Sequence, residues 1–331
     1  MPKFPPRTTV LSIVGPGRSG TTVLARILGE VPGVVDAGEL YWEWRRGILE
    51  QRPCGCGLGQ RECPVWRQVL PRVLDVPGPD AAEDIDAAAR EVVGCQTELT
   101  RRRHLLRVLR SARSPTTDWA ALQRLRTVTA TLCGELAQVT GASLVVDASK
   151  RSQDAAVLAG GPGIDHYVLH MVRDPRAVAH SWRRAKPRPS AAGAVTLATR
   201  RLPLSVERWI ENCVGAELLR RHVPAERWHF LRYEDFVAEP RASVQRILDF
   251  VGHPAESPVR TDGTVVLGAS HTVAGNPDRF RTGEVRIRMD DEWRQRMPRR
   301  EQVAVGLATA PLSRHYGYPI IPRSARSSGE D

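Results

Sequence analysis

Residues 8–14, TTVLSIV, form an unbroken run of β-branched and apolar side chains that stops at Gly15-Pro16-Gly17. A run this short, closed by turn residues, predicts a strand buried on both faces. Beyond the glycines, Val23, Leu24, Ile27 and Leu28 recur at helical spacing until Gly29 and Pro32, which predicts a helix ending there. A short second strand is expected in GVVDAG, residues 33–38. Apolar runs return at 143–149 (SLVVDAS), 166–172 (HYVLHMV) and 228–235 (WHFLRYED). Each precedes helical sequence, the pattern of parallel β-α-β units. Between 67 and 140 the period changes: segments such as QTELTRRRHLLRVLRSAR and WAALQRLRTVTATLCGELAQVTG read as helices. They are expected to form a helical insertion over one end of the sheet. The whole predicts an α/β fold of three layers with a central parallel sheet. One domain is expected over 1–323, followed by a disordered polar tail at 324–331.

Composition narrows this only a little. The 331 residues carry 48 Lys and Arg against 37 Asp and Glu, a formal net charge of +11. Such an excess suits nucleic acid, an anionic surface or small anionic ligands. Lysine occurs only at Lys3, Lys150 and Lys186, so a bias toward arginine explains most of the charge. The arginines are dispersed rather than striped with aromatics, which argues against a nucleic-acid-binding protein. No apolar run approaches the ~20 residues of a membrane helix, and the N-terminal run flows into the glycine loop without a cleavage site. The expectation is a cytoplasmic chain with no membrane span and no nucleic-acid partner.

The segment VGPGRSGTTVLAR, beginning at Val14, has the outline of a phosphate-binding loop. Its ATP-binding form, G-x-x-x-x-G-K-[S/T], has lysine where Thr21 stands. The backbone N–H groups from Gly17 through Arg18, Ser19, Gly20 and Thr21 to Thr22 still make an anion nest at a helix N-terminus. The Thr21 and Thr22 hydroxyls add donors, and Arg18 adds a fixed positive charge. A second anion site is suggested by MVRDPRAVAHSW, residues 171–182. There Arg173 ends a strand, Asp174-Pro175 turns the chain, and Ser181 follows about two helical turns on.

Together, GRSGTT after the first strand and R-D-P-R-x-x-x-x-S-W after a later one resemble the sulfotransferases that use 3′-phosphoadenosine-5′-phosphosulfate (PAPS). The resemblance covers most of 8–320 and is weak across 67–140. It implies a P-loop NTPase-like fold and transfer of a sulfuryl group from PAPS to a hydroxyl acceptor, a carbohydrate or other small molecule, releasing adenosine 3′,5′-bisphosphate. It also implies that the first loop holds the 5′-phosphosulfate, that Arg173 and Ser181 hold the 3′-phosphate, and that no metal is required. The loop differs from the K-S-G-T-T of the phenol- and steroid-sulfating branch. It is closer to the protein-tyrosine and bacterial carbohydrate-type branches, where a glutamate after the first helix is the base. Glu39, in DAGELYW and 21 residues beyond Arg18, stands in that register.

An acceptor hydroxyl must lose a proton as it attacks sulfur, so a carboxylate within hydrogen-bond reach is the natural base. His170, His180 and His271 remain rivals. Lys150, past a predicted strand end, resembles a lysine near the transferring group in the tyrosine-sulfating branch. With Arg18 it is expected to stabilise charge developing during transfer. A late Arg-x-Gly segment closes the nucleotide site in many relatives, and Arg281 and Gly283 in FRTGEV offer a loose match, with Arg279 nearby. Tyr41, Trp42, Trp44 and Trp66 serve either an acceptor wall or the core.

Cys54, Cys56 and Cys63 cluster in CGCGLGQRECPVW. Three ligands fall short of a four-coordinate structural zinc unless a distant residue joins them. The expectation is a glycine-rich loop with packed or redox-sensitive thiols and no metal, with a Cys54–Cys63 bridge as an alternative. A rival function from the same loop is an atypical P-loop nucleotide kinase or NTPase. It lacks the loop lysine and has only Asp147 at a strand end to offer magnesium.

Overall fold

A computed structural model describes residues 7–184, 187–190, 193–196 and 199–321; the tail predicted at 324–331 lies outside them. Strand β1 (Thr8–Val14) is central in a five-stranded sheet with β2 (Val34–Gly38), β3 (Leu144–Lys150), β4 (Ile164–Val172) and a fifth strand, Trp228–Arg232. The order is β2, β3, β1, β4, Trp228–Arg232, and every pairing is parallel. Two antiparallel hairpins lie outside it: β5 (Pro187–Ser190) with β6 (Gly193–Thr196), and Thr264–Leu267 with Gly283–Arg286.

Side-chain alternation along β1 builds two cores. Val10 and Val14 point into one, with Val145 and Val168 of the neighbouring strands. Leu11 and Ile13 point into the other, with Val146, Leu169 and Met171. Period two in a strand buried on both faces requires this split. Helix α1 (Thr21–Leu28) and the helices Tyr233–Ala238 and Pro240–Phe250 cover the second face. The first is covered by α2 (Trp66–Leu74), α3 (Ala82–Leu99), α4 (Leu105–Arg110) and α5 (Ala120–Thr140). The helices of 67–140 therefore lie across a face of the sheet, with α5 against β1, β2 and β3, rather than over its end.

The run 228–235 divides differently from the expectation. The strand stops at Arg232 and a helix starts at Tyr233. Arg232 reaches along the new helix to chelate Asp235, at 3.0 and 2.9 Å. Glu234 accepts from the Asp174 amide at 3.1 Å and from the Tyr318 hydroxyl at 2.7 Å. The local Arg232–Asp235 pair and the two long-range bonds of Glu234 favour a helical turn where the residue pattern continues a strand.

After β1, the chain crosses through α1 to the outer strand β2. It comes back by way of β3 and leaves β1 on its other side through β4. Reversals of this kind open a crevice at the carboxyl ends of the strands. The glycine loop, Glu39, Lys150 and Arg173 sit at the carboxyl ends of β1, β2, β3 and β4 respectively.

Candidate functional site

The loop after β1 is held by backbone constraints. Gly15 has φ 131°, and its N–H donates to the Lys150 carbonyl at 3.0 Å. Gly20, at φ 85°, is the N-cap of α1, with no side-chain cap and no acidic residue in the first turn. The positive end of α1 therefore faces open space, the arrangement that receives an anion. Arg18 also has a positive φ, 71°, which costs about 1 kcal/mol or more in a non-glycine residue. Its guanidinium lies 4.6 Å from the Trp182 ring centre, and its Nε has no hydrogen-bond partner among the described residues. Burial pulls the Arg18 guanidinium below its usual range, against the pull of Asp278 and Glu39. A cation desolvated in this way gains from any anion brought to it.

Four backbone contacts aim Glu39. Its own N–H donates to the Val273 carbonyl at 2.9 Å. On either side, the amides of Gly38, Leu40 and Tyr41 donate to Asp36, Asp147 and the Ser149 hydroxyl, at 2.9, 3.3 and 3.1 Å. The carboxylate accepts a hydrogen bond from the Lys150 ammonium, which also donates to the Ala148 carbonyl at 3.2 Å. Both side chains are mostly buried, 12% exposed for Glu39 and 15% for Lys150. Lys150 has φ 70°. That conformation turns its carbonyl to the Gly15 amide while its side chain crosses to Glu39. A strap over residues 268–280 closes the other side. A Cβ on Gly275 would stand 3.5 Å from Glu39 Oε1 and 3.8 Å from Thr22 Oγ1, so carboxylate and loop threonine flank the same strap glycine.

These groups face a cleft of about 770 Å³, lined by Gly17, Arg18, Gly20, Thr21 and Thr22 together with Glu39 and Lys150. Arg46, Arg52, Arg151, Arg200 and Arg208 also reach it, so part of the basic excess is gathered on one anion-sized space. Carboxylates temper some of them: Glu50 pairs with Arg52, Asp154 with Arg151, and Glu211 with Arg208. Trp42, stacked by Arg46 at 3.6 Å, and Trp182, stacked by Arg200 at 3.6 Å, add aromatic walls. Trp44 and Trp66 are core residues at 1% and 0% exposure. Trp182, Arg200, Arg208 and Gly275 escaped the sequence reading; only Trp182 carried a signal, beside Ser181 in its motif.

Other expected residues lie off the cleft. Ser19 is wholly buried, and its hydroxyl has no partner among the described residues. Arg173 is buried behind the loop. It donates to the Arg18 carbonyl at 3.2 Å, stacks on Tyr233 at 4.3 Å and pairs with Asp290 at 3.3 Å. Arg184 reaches the same carboxylate at 2.7 Å. Burial acts to raise the Asp290 carboxyl, but Arg173 and Arg184 outweigh it and hold the group below its ordinary range. Ser181 is buried on α7 (Pro175–Arg183), which follows α6 (Ser152–Ala159) in the chain. Arg281 and Gly283 are exposed on the hairpin that packs beside α1, where the Arg281 carbonyl accepts from Arg26 at 3.0 Å. Arg279 does line the cleft, and its guanidinium donates to the Thr272 and Pro53 carbonyls, both at 2.7 Å.

The rival bases are placed elsewhere. His180 lies 3.9 Å from Glu292, and His271 Nδ1 lies 3.2 Å from the Cys63 sulfur. His170 is fully buried among Trp228, Phe230 and Tyr316, with ring centres 5.5–5.7 Å apart. Burial holds its pKa down at about 3. In the unfolded chain it protonates below about pH 6.5, so its neutral burial costs about 1.4 kcal/mol of stability per pH unit on the acid side. His170→Phe should therefore reduce the stability lost between about pH 7 and pH 5 by about 1–2 kcal/mol. Urea melts at the two pH values check this, and equal losses in both proteins would refute it. Asp147, the carboxylate a magnesium-dependent reading would need, is buried; its Oδ1 accepts from the Ser149 amide at 3.0 Å, the Ser149 hydroxyl at 2.5 Å and the Leu40 amide at 3.3 Å. Its bonds are spent on shaping the strand ends, and nothing in the geometry favours the kinase reading.

Residues 165–257 match the sequence model of the sulfotransferase family. That segment holds all of β4 but its first residue, together with Arg173 and Ser181. No curated protein matches the chain by sequence. Among solved structures, the sulfotransferase domain of the Synechococcus PCC 7002 olefin synthase is 20% identical, covering 97% of this chain and 98% of that one, with a TM-score of 0.56. The sulfotransferase domain from the curacin biosynthetic pathway is 15% identical, covering 96% and 100%, with a TM-score of 0.53. Among the described residues no helix is long and apolar enough to cross a membrane. The chain thus carries the sulfotransferase family's sequence pattern over residues 165–257 and, along nearly its whole length, the fold of these two sulfotransferase domains.

Proposed function

We propose that this chain transfers the sulfuryl group of PAPS to the hydroxyl of a small-molecule acceptor, with Glu39 as the base. The observation that carries this is the Glu39–Lys150 pair, held at two strand ends beside the open N-terminus of α1. In this reading the loop amides and the Thr21 and Thr22 hydroxyls hold the 5′-phosphosulfate. The acceptor oxygen attacks sulfur in line and its proton passes to Glu39. The bond from sulfur to the bridging oxygen breaks, and the electron pair leaves on the phosphate of adenosine 3′,5′-bisphosphate. Lys150 and Arg18 offset the charge that grows on the bridging and sulfuryl oxygens. Trp42 and Trp182 offer flat apolar faces to a sugar or similar acceptor. A cytoplasmic setting belongs to the same reading.

The 3′-phosphate is assigned to Arg173 and Ser181. Asp290 now engages Arg173, so its carboxylate stands in for the anion and a bound 3′-phosphate would displace it. Calorimetry without magnesium tests this. Adenosine 3′,5′-bisphosphate should bind at least ~10-fold more tightly than ADP. Arg173→Ala should weaken it by about 10–100-fold, the loss of a charge-assisted contact, and leave ADP nearly unchanged. Equal affinity for the two nucleotides would sink the PAPS reading.

A further inference from the structure

The cysteine loop is completed by a residue more than two hundred positions away in the chain. Cys54 Sγ, Cys56 Sγ, Cys63 Sγ and a ring nitrogen of His271 all lie within 4.8 Å of one another. A tetrahedral zinc with Zn–S about 2.3 Å and Zn–N about 2.0 Å has ligand-to-ligand edges of about 3.5–3.8 Å. Small side-chain rotations bring the four atoms to that figure, Cys63 Sγ and His271 Nδ1, now 3.2 Å apart, opening by a few tenths of an ångström. We propose that Cys54, Cys56, Cys63 and His271 form a structural zinc site, independent of the reaction assigned to the cleft.

The backbone is arranged for it. The Cys54 amide donates to the Leu58 carbonyl at 2.7 Å and the Gly57 amide to the Cys54 carbonyl at 2.9 Å, with Gly57 at φ 88°. This tight turn presents two thiols from alternate residues. Cys63 precedes α2, and the Val65 and Trp66 amides donate to its sulfur. Such N–H···S bonds orient a thiolate and spread its charge as the outer shell of a metal site does. His271 is set by its own carbonyl, which accepts from Trp66 Nε1 at 2.8 Å, and by the Gly55 amide, which donates to the Thr272 carbonyl at 2.9 Å. Three thiolates and one imidazole are a soft donor set with no open position, which selects zinc and a structural role.

The ion would fasten the cysteine loop to the strap over 268–280. That strap accepts the Glu39 amide through Val273 and places Gly275 beside the carboxylate. Metal loss should therefore loosen the strap while leaving the central sheet folded.

The full chain, purified without metal-affinity resin or chelator, is assayed for metal by elemental mass spectrometry. About one zinc per chain is expected, with X-ray absorption showing three sulfurs at about 2.3 Å and one nitrogen at about 2.0 Å. Cys56→Ser and His271→Ala should each lower zinc retention at least ~10-fold, the loss expected when a ligand goes. A cobalt-substituted protein should lose part of its thiolate charge-transfer band in Cys56→Ser and keep it in His271→Ala. Chelation should raise hydrogen exchange in 268–280 and not in β1 or β3. Three results would each overturn the proposal: metal far below one per chain with all three thiols alkylated in the native protein, a Cys54–Cys63 disulfide, or zinc retained in both variants.

Discussion

Glu39→Gln is expected to lower turnover by about 10²–10⁴-fold, the range lost with a positioned general base. Adenosine 3′,5′-bisphosphate binding should stay within ~2-fold of wild type. The substitution keeps the side-chain length and the backbone bond to Val273, and its amide oxygen still accepts from Lys150. What disappears is the capacity to take the acceptor proton. The loss should therefore fall on kcat, with acceptor KM little changed, the pattern of an interaction made only in the transition state. Single-turnover assays with labelled PAPS measure the chemical step directly. A variant that keeps a third or more of the wild-type rate would move the base elsewhere. The buried His170 and His271, which sits at hydrogen-bond distance from the Cys63 sulfur, would not be the next candidates, because neither lines the cleft.

Gly15→Ala should destabilise the protein by about 3 kcal/mol or more, a figure set by backbone strain and overpacking. Its Cβ would lie 2.2 Å from the Met171 carbonyl oxygen, and φ 131° suits only glycine. Neither side can yield cheaply. Val14 pairs with His170 in the middle of the sheet, and the Gly15 amide is bonded to Lys150. Thermal melts should show Tm lowered by about 4 °C or more. Gly94→Ala is the matching control. It lies within α3, and an added methyl there would meet nothing within 4 Å; helix propensity predicts a gain of up to about 1 kcal/mol. A Gly15→Ala protein that melts within about 2 °C of wild type would show that the loop backbone tolerates far more change than its geometry implies.

Local pattern carried the reading furthest where one segment contains its own cause. The β1–loop–α1 unit is of this kind: an apolar run, two glycines whose positive φ ends the strand and caps the helix, and apolar spacing that continues the helix. The five parallel strands were legible for the same reason. Only the end of the last one was not, because the helix at Tyr233 is chosen by Glu234 reaching Asp174 and Tyr318, partners that a linear pattern does not show. Arg281 and Gly283 matched a motif by type, but their hairpin packs beside α1 and carries them off the cleft.

Residue types and spacing alone determined the strands and the glycine loop between β1 and α1, because backbone conformation and strand burial are encoded within a few neighbouring residues; the roles of Glu39 and Arg173 came from the resemblance to the sulfotransferases. Only tertiary structure decided which charges meet. It brought Lys150 to Glu39 across β2 and β3, set Asp290 against Arg173, and carried His271 to three cysteines. Those contacts depend on strand order and chain crossings, which place residues more than a hundred positions apart within a few ångströms, and no local pattern encodes that distance.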